Sequence, residues 1–322
     1  MYKRLLAVAV LGTAVSSGAA VAGPFQIDVS FDYSGNGETT TAPIRTLGTS
    51  DSLATSFYFG DPNVAGTALV DTNIQSVMDS YGFMAGNHTA IDGVSSVDLF
   101  NPDAVGDRNI TSLNFEPGFG GIDAANGFHA DNWFFDNTGW GLTIDYQIAG
   151  VTTGDLGNPI AYNDGFLDLY FEDGVTGDRI KVLQMDVTGS LMAGPNLDLL
   201  GEITYSWLDP ADPDAAFIEA FMRDVDLDNT FFNLWSADVG NPVQIHWRLD
   251  TNVDPPLPTD DQLVAFTTEE GEDVLVRQAD LNSTIRFQVP EPSVLLLLGF
   301  GLIGLAVFAR RRGGAEEEVT MG

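Results

Sequence analysis

Three aspartates alternate along one short segment of the chain: Asp224, Asp226 and Asp228. A D-x-D-x-D run gathers carboxylate oxygens in one tight loop, and Ca²⁺ binds about six to eight oxygens. An EF-hand loop would continue with Gly at its sixth position and Glu at its twelfth, where this chain has Asn229 and Trp235. The segment therefore predicts either a calcium site without a bidentate anchor or a solvated acidic turn.

Residues that could carry catalysis are scarce. The three histidines are His88, His129 and His246, and there is no cysteine. The sequence contains no G-x-S-x-G nucleophile motif, no phosphate-binding or dinucleotide-binding loop and no H-E-x-x-H. Carboxylate pairs are too numerous to single out a glycosidase pair. We therefore expect a protein that is not an enzyme, and we keep a secreted polysaccharide hydrolase as the alternative.

Aromatic residues cluster at Trp133–Phe135, at Trp140, and at Phe231 and Phe232 with Trp235. Exposed aromatic faces stack on sugar rings, whereas buried ones fill the core of a β protein. The sequence leaves both interpretations open.

The charge is strongly negative. The chain has 13 basic and 46 acidic residues. Outside the two ends, eight basic residues face 43 acidic ones, a net charge of about −35. Such a surface repels phosphate backbones, so we expect no nucleic-acid partner, and it attracts divalent cations.

The elements that must position these residues are mainly strands. Apolar and polar residues alternate with a period of two, which is typical of strands with one buried face. The alternating runs are Phe25–Tyr33, Leu142–Ile148, Leu167–Phe171 and Val243–Leu249. We predict an all-β body, a β-sandwich or a jelly-roll-like fold, with one or two short helices.

Several local features refine this prediction. The alternation of Ile180 and Val182 slips at Leu183, which predicts a β-bulge. Gly follows Asn or Asp at Asn36-Gly37, Asn126-Gly127, Asp164-Gly165 and Asp173-Gly174, which predicts turns.

Two helices are predicted. In the first, Asp212 would cap, Pro213 would lie in the first turn, and Phe217, Ile218, Phe221 and Met222 would form the apolar face. A shorter helix is expected over Asn73–Met78.

The N-terminal 22 residues have the pattern of a signal peptide. Lys3 and Arg4 precede a short apolar stretch, and Ala20 and Ala22 form an A-x-A cleavage site. We expect cleavage after Ala22, which leaves an extracellular β-rich domain over residues 23–288.

The C-terminal segment combines three features in order. Pro290-Glu291-Pro292 precedes an uncharged apolar run, Ser293–Ala309, which is followed by Arg310, Arg311 and Arg312. The run is about 26 Å long as a helix, enough to cross a thin bilayer core. The arginines would stay cytoplasmic by the positive-inside rule, so everything before Pro290 lies outside.

These three features, over residues 289–312, resemble the PEP-CTERM sorting signal of Gram-negative bacteria. The resemblance implies recognition by an exosortase, a membrane transpeptidase-like protease, release from the helix, and association with extracellular polysaccharide. Members of that family usually end soon after the arginines, whereas here an acidic cytoplasmic tail over residues 313–322 follows.

The body is also similar to the flocculation-associated group of PEP-CTERM proteins. The matching residues are Pro24-Phe25, Asn163–Gly165, Asn196–Leu199 and Trp247–Val253. This similarity implies a role in holding cells and exopolysaccharide together. The sequence thus predicts a membrane-anchored precursor that becomes a cell-surface or matrix protein, with calcium as the candidate cofactor.

Overall fold

The computed structural model describes residues 24–33, 37, 39–41, 43–44, 47–83, 111–115, 140–155, 157–193, 196–225, 228–236, 246–251 and 257–288. The signal peptide with Ala20 and Ala22, the central Asp226, and the sorting signal with Pro290, Glu291, Pro292, Arg310, Arg311 and Arg312 lie outside the described residues.

The described part of the chain is built mainly from strands. The strands are β1 (Phe25–Ile27), β2 (Leu47–Tyr58), β3 (Ala68–Thr72), β4 (Thr111–Phe115), β5 (Trp140–Thr152), β6 (Ile160–Asp173), β7 (Arg179–Ala193), β8 (Asn196–Thr204), β9 (Met222–Asp224), β10 (Asn229–Thr230), β11 (His246–Thr251), β12 (Val264–Thr267) and β13 (Asp273–Gln288). The helices are α1 (Gln75–Ser80), α2 (Ala215–Ala220), α3 (Phe231–Ser236) and a 3-10 helix (Asp260–Gln262). The predicted all-β fold class with few short helices is confirmed.

The large sheet closes on itself. Its strand order is β12-β13-β11-β8-β7-β6-β5-β3-β2-β4, and β13 also pairs with β2. β3 and β4 both bridge β2 to β5, so hydrogen-bonded pairs run without a break from β2 through β5, β6, β7, β8, β11 and β13 back to β2. All of these pairings are antiparallel.

Bulges supply the curvature that closure requires. The bulge predicted near Leu183 is confirmed: Leu183 pairs with Leu169 and Lys181 with Tyr170, which leaves Val182 as the extra residue. The turn predicted at Asp164-Gly165 is wrong, because β6 continues through it with a bulge at Asn163. Gly165 has φ +118°, and a Cβ there would lie 2.3 Å from a backbone oxygen of β5, so the bulge requires glycine.

The inward faces of the ring hold the main core. Alternate residues of β5, β6 and β7 are buried there, which is the period-two pattern expected from the sequence. The buried hydrophobic residues of these three strands are Trp140, Leu142, Ile144, Tyr146, Ile148, Ile160, Tyr162, Leu167, Leu169, Phe171, Val182, Leu183, Met185 and Val187.

One end of the ring is covered by a small sheet and two helices. We call this the terminal end: it is where β6 and β13 finish and where β1, β9, β10, α2 and α3 pack. Phe287 at the end of β13 contacts Phe25 of β1 and Phe231 of α3, with ring centroids 5.3 and 5.4 Å apart. Phe171 near the end of β6 contacts Phe221, which follows α2, at 5.8 Å. We call the opposite end the distal end.

Several predicted boundaries were wrong. The run from Phe25 to Tyr33 forms only a three-residue strand, because β1 is limited by the three-residue β9 beside it. α2 begins at Ala215, two residues after Pro213. Asp212 accepts a hydrogen bond from the Asp214 N–H, the kind of contact predicted for a cap, in the turn that precedes the helix. Met222, predicted on the helix, belongs to β9.

The short helix predicted over Asn73–Met78 is present as α1, two residues further along. It starts late because the Asn73 side chain is committed to β5, donating to the Ile144 carbonyl and accepting from the Tyr146 N–H. Met78 of α1 then packs with Phe57 and Val276 in a second cluster on the outside of the ring.

Candidate functional site

Asp224 is held inside the small sheet. It is the last residue of β9, the central strand, and pairs with Phe25 of β1 on one side and with Asn229 of β10 on the other. Only 2% of its surface is exposed. Its position is therefore fixed by the two neighbouring strands rather than by an open loop.

Asp228 has a different environment. Its φ is +51°, an uncommon conformation that Asp tolerates better than most residues, and its side chain is solvent-exposed. Arg223 lies 2.7 Å from one Asp228 carboxylate oxygen, which places a positive charge beside the expected calcium loop. Within the described residues, no group of three His, Asp or Glu side chains is arranged to hold a metal. The calcium site, whose central Asp226 is not described, stays a prediction.

Calcium should stabilise the protein more than sodium does at the same ionic strength, because divalent ions relieve the self-repulsion of about −35 charges more effectively. Thermal melting of the processed protein in CaCl₂ and in ionic-strength-matched NaCl measures this difference. The double change Asp226→Asn and Asp228→Asn should remove part of the calcium-specific rise, whereas Asp178→Asn, at the exposed β6–β7 hairpin, should not. Identical melting curves in the two salts would remove calcium from the account.

Two of the aromatic residues considered for sugar stacking are core residues. Trp140 is 3% exposed and stacks on Phe171, and Phe231 is fully buried. Phe232 and Trp235 are half-buried and contact Tyr205, with ring centroids 5.4 and 5.7 Å away. Trp133–Phe135 lies outside the described residues. Trp140 and Phe231 therefore fill the hydrophobic core and are not exposed for stacking on a sugar ring.

An ion-pair network on the outward face of β5, β6 and β7 was not foreseen. Arg179 donates through Nε to Glu172 Oε1 at 2.6 Å and through Nη1 and Nη2 to the two Asp145 oxygens at 2.9 and 2.8 Å. Thr143 Oγ1 also donates to Glu172 Oε1, at 2.6 Å. The Arg179 guanidinium lies 3.7 Å from the centroid of the Tyr170 ring.

Lys181 forms the second centre of this network. Its Nζ lies 2.7 Å from Asp168 Oδ1, donates to Gln184 at 2.7 Å, and lies 4.6 Å from the Trp207 ring centroid. Burial raises the pKa of the Asp168 carboxyl, and the neighbouring Asp145 and Asp186 raise it further, while Lys181 lowers it. Asp145 and Asp168 are direct cross-strand partners, so the two cations keep two facing carboxylates together.

A signal for this network exists in the sequence. The Asp173-Gly174 turn forms the β6–β7 hairpin, which places Glu172 opposite Arg179 and Tyr170 opposite Lys181. Only eight basic residues lie between the two ends of the chain, and two of them, Arg179 and Lys181, follow this turn directly. Because Asp168 and Glu172 precede the same turn, the sequence could have indicated ion pairs across the hairpin. In this network the cations and carboxylates neutralise one another: Arg179 pairs with Asp145 and Lys181 pairs with Asp168.

A second polar cluster lies inside the ring, towards the distal end. Asp71 of β3 is 8% exposed and accepts a hydrogen bond from the Tyr162 hydroxyl. Ser56 of β2 is its cross-strand partner, and Arg277 of β13 pairs with Ser56 in turn. Burial raises the pKa of Asp71 to about 7, against the lowering effects of Ser56 and Arg277. The pKa of the buried Tyr146 hydroxyl is raised by burial and by Asp71.

Of the three histidines, the structure describes only His246. His246 is the first residue of β11, where it pairs with Glu202 of β8 and Gln288 of β13. His88 and His129 lie outside the described residues.

The sorting signal follows directly from the last strand. β13 ends at Gln288, and Pro290 comes two residues later. Among the described residues no helix has the length and apolar character needed to cross a membrane, and the predicted helix Ser293–Ala309 is not among them.

Comparison with protein families gives a match at this same segment. Residues 288–312 match the family described as the PEP-CTERM protein-sorting motif. The chain carries a PEP-CTERM sorting motif, as predicted from the sequence. The PEP-CTERM motif marks an exported protein whose membrane-anchored precursor is processed by an exosortase. Searches of curated proteins and of solved structures return no match to the chain.

Proposed function

We propose that this PEP-CTERM protein acts at the cell surface or in the extracellular matrix of a Gram-negative bacterium. Its body would associate with exopolysaccharide without catalysis and contribute to flocculation or biofilm formation. The observation that carries the proposal is the sorting motif at residues 288–312, joined directly to an acidic, cysteine-free β body.

The charge of the body supports a calcium-assisted mode of association. About −35 charges keep the separate molecules dispersed, and a divalent cation can bridge protein carboxylates to acidic groups of a polysaccharide. Within the part of the chain that the structure describes, Arg179, Lys181 and Arg223 form ion pairs with Asp145, Glu172, Asp168 and Asp228.

A secreted polysaccharide hydrolase is the second candidate, and one observation favours it. Asp145 and Asp168 face each other across β5 and β6, and the pKa of Asp168 is raised by burial, as a general acid requires. Against it, Arg179 and Lys181 hold these carboxylates in ion pairs. A matrix-binding role is therefore the better-supported proposal.

One assay separates the two functions. The processed protein, purified from the extracellular fraction, is mixed with exopolysaccharide isolated from the same cells, with CaCl₂ or with EDTA. We expect the protein to sediment with the polysaccharide in calcium and to release no reducing sugar. Release of reducing sugar that is lost in an Asp168→Asn variant would establish the hydrolase instead.

Deleting the gene should reduce flocs or biofilm, and unchanged cell aggregation would contradict the matrix role.

A further inference from the structure

The body is tied closely to the membrane before processing. Gln288 is both the last residue of β13 and the first residue of the sorting-motif match. The predicted apolar helix begins at Ser293, five residues later. Five extended residues span at most about 18 Å, and the headgroup layer on one side of a bilayer is roughly 5–8 Å thick. The end of the body that carries Gln288 is thus held beside the membrane.

The end that carries Gln288 is the terminal end of the ring. Phe287 is 1% exposed and its ring contacts those of Phe25 and Phe231, so the C-terminal end of β13 is anchored in the core. Pro24 lies at the same end, where its carbonyl accepts a hydrogen bond from the Val225 N–H. The body therefore cannot swing away from the membrane by releasing the end of β13 without opening its core.

Two exposed apolar side chains lie at this end. Val175, in the β6–β7 hairpin, is 60% exposed, and Phe31 is 58% exposed. Asp173 joins them: it accepts a hydrogen bond from the Val175 N–H at 2.7 Å and also one from Tyr33, whose ring contacts Phe31 at 4.8 Å. Other exposed apolar side chains, such as Leu191, lie towards the distal end, so the short tether decides which end meets the membrane.

We propose that the terminal end of the body rests on the membrane surface in the precursor, with Phe31 and Val175 in the lipid headgroup layer. This contact fixes the height at which Pro290-Glu291-Pro292 is offered to the membrane-embedded exosortase. Because the body carries about −35 charges, the contact depends on the tether and the apolar side chains rather than on attraction to lipid phosphate. The inference rests on exosortase sorting, and not on the matrix role.

Fluorescent labels in the hairpin just before β7 and near the end of β7 test this orientation. The chain has no cysteine, so Thr176→Cys at the terminal end and Leu191→Cys at the distal end each give one labelling site. These positions are separated by about 40 Å along the strand. Each full-length precursor is labelled and reconstituted into vesicles of phosphatidylethanolamine and phosphatidylglycerol, with or without acyl-brominated phospholipid as the quencher.

We expect brominated lipid to quench the Thr176→Cys label roughly twofold or more and to leave the Leu191→Cys label almost unchanged. The further changes Phe31→Ser and Val175→Ser should reduce the quenching of the Thr176→Cys label. Equal quenching at the two positions, or quenching that the serine changes do not reduce, would overturn the proposal. Flotation of the precursor with the vesicles is measured in parallel: precursor that does not float refutes membrane tethering itself, whereas precursor that floats with equal quenching refutes only the orientation.

Discussion

Changing Glu291→Ala, or both Pro290→Ala and Pro292→Ala, should leave the protein exported but uncleaved in the membrane. We expect the apolar run Ser293–Ala309 to stop transfer and the Pro-Glu-Pro segment to present the chain to the exosortase, so these variants should lose only the second step. We expect the prolines to matter because proline interrupts regular structure and favours an extended backbone. Cell fractionation with immunoblotting should show full-length protein in the membrane fraction.

The arginine cluster provides the contrasting variant. Replacing Arg310, Arg311 and Arg312 with neutral residues should weaken membrane retention, because a marginal helix loses the charges that fix it on the cytoplasmic side. Premature release is then expected in place of membrane accumulation. If the Pro-Glu-Pro variants appear outside the cell at normal size and amount, exosortase processing does not depend on this segment.

Asp71→Asn should stabilise the folded protein at pH 8 and leave its stability near pH 4 almost unchanged. Burial raises the pKa of Asp71 from 3.8 to about 7 in the folded state. The unfolded chain therefore loses this proton first, and stability falls as the pH rises from about 4 to about 7. The rise in pKa corresponds to roughly 4 kcal/mol of lost stability above pH 7, and Asn removes this cost because it is never charged.

Urea unfolding of the processed protein at a series of pH values measures this effect. The free energy of unfolding of Asp71→Asn minus that of the wild type should increase as the pH rises from about 4 to about 7. Asp178→Asn, at the exposed β6–β7 hairpin, removes the same charge outside the ring and is the matched control. Parallel curves for the wild type and Asp71→Asn would show that Asp71 does not titrate with the raised pKa.

The sorting signal could be found from the sequence because its parts are contiguous. Pro290-Glu291-Pro292, the apolar run and the arginines follow one another in a single segment of the chain, and no folding is needed to bring them together. Strand identity was equally local: alternation fixed β5 and much of β6, and the phase slip at Leu183 located the bulge at Val182. Both follow from the two-residue period of the strand.

The tertiary structure decided which polar residues meet. Asp224 and Asp228 are four residues apart, yet one is buried between strands and the other is exposed beside Arg223. Asp71 lies in the short strand β3, and its partner on the neighbouring strand β2 is Ser56. Arg277 is more than 200 residues later in the chain, and only closure of the ring pairs it with Ser56 from the other side. Asp164-Gly165 has turn chemistry, but the pairing of β5 with β6 on both sides of it made it a bulge. Short-range patterns therefore determined the sorting signal and the strands of this protein. Burial and ring closure determined its charged clusters, because these depend on neighbours that are distant in the chain.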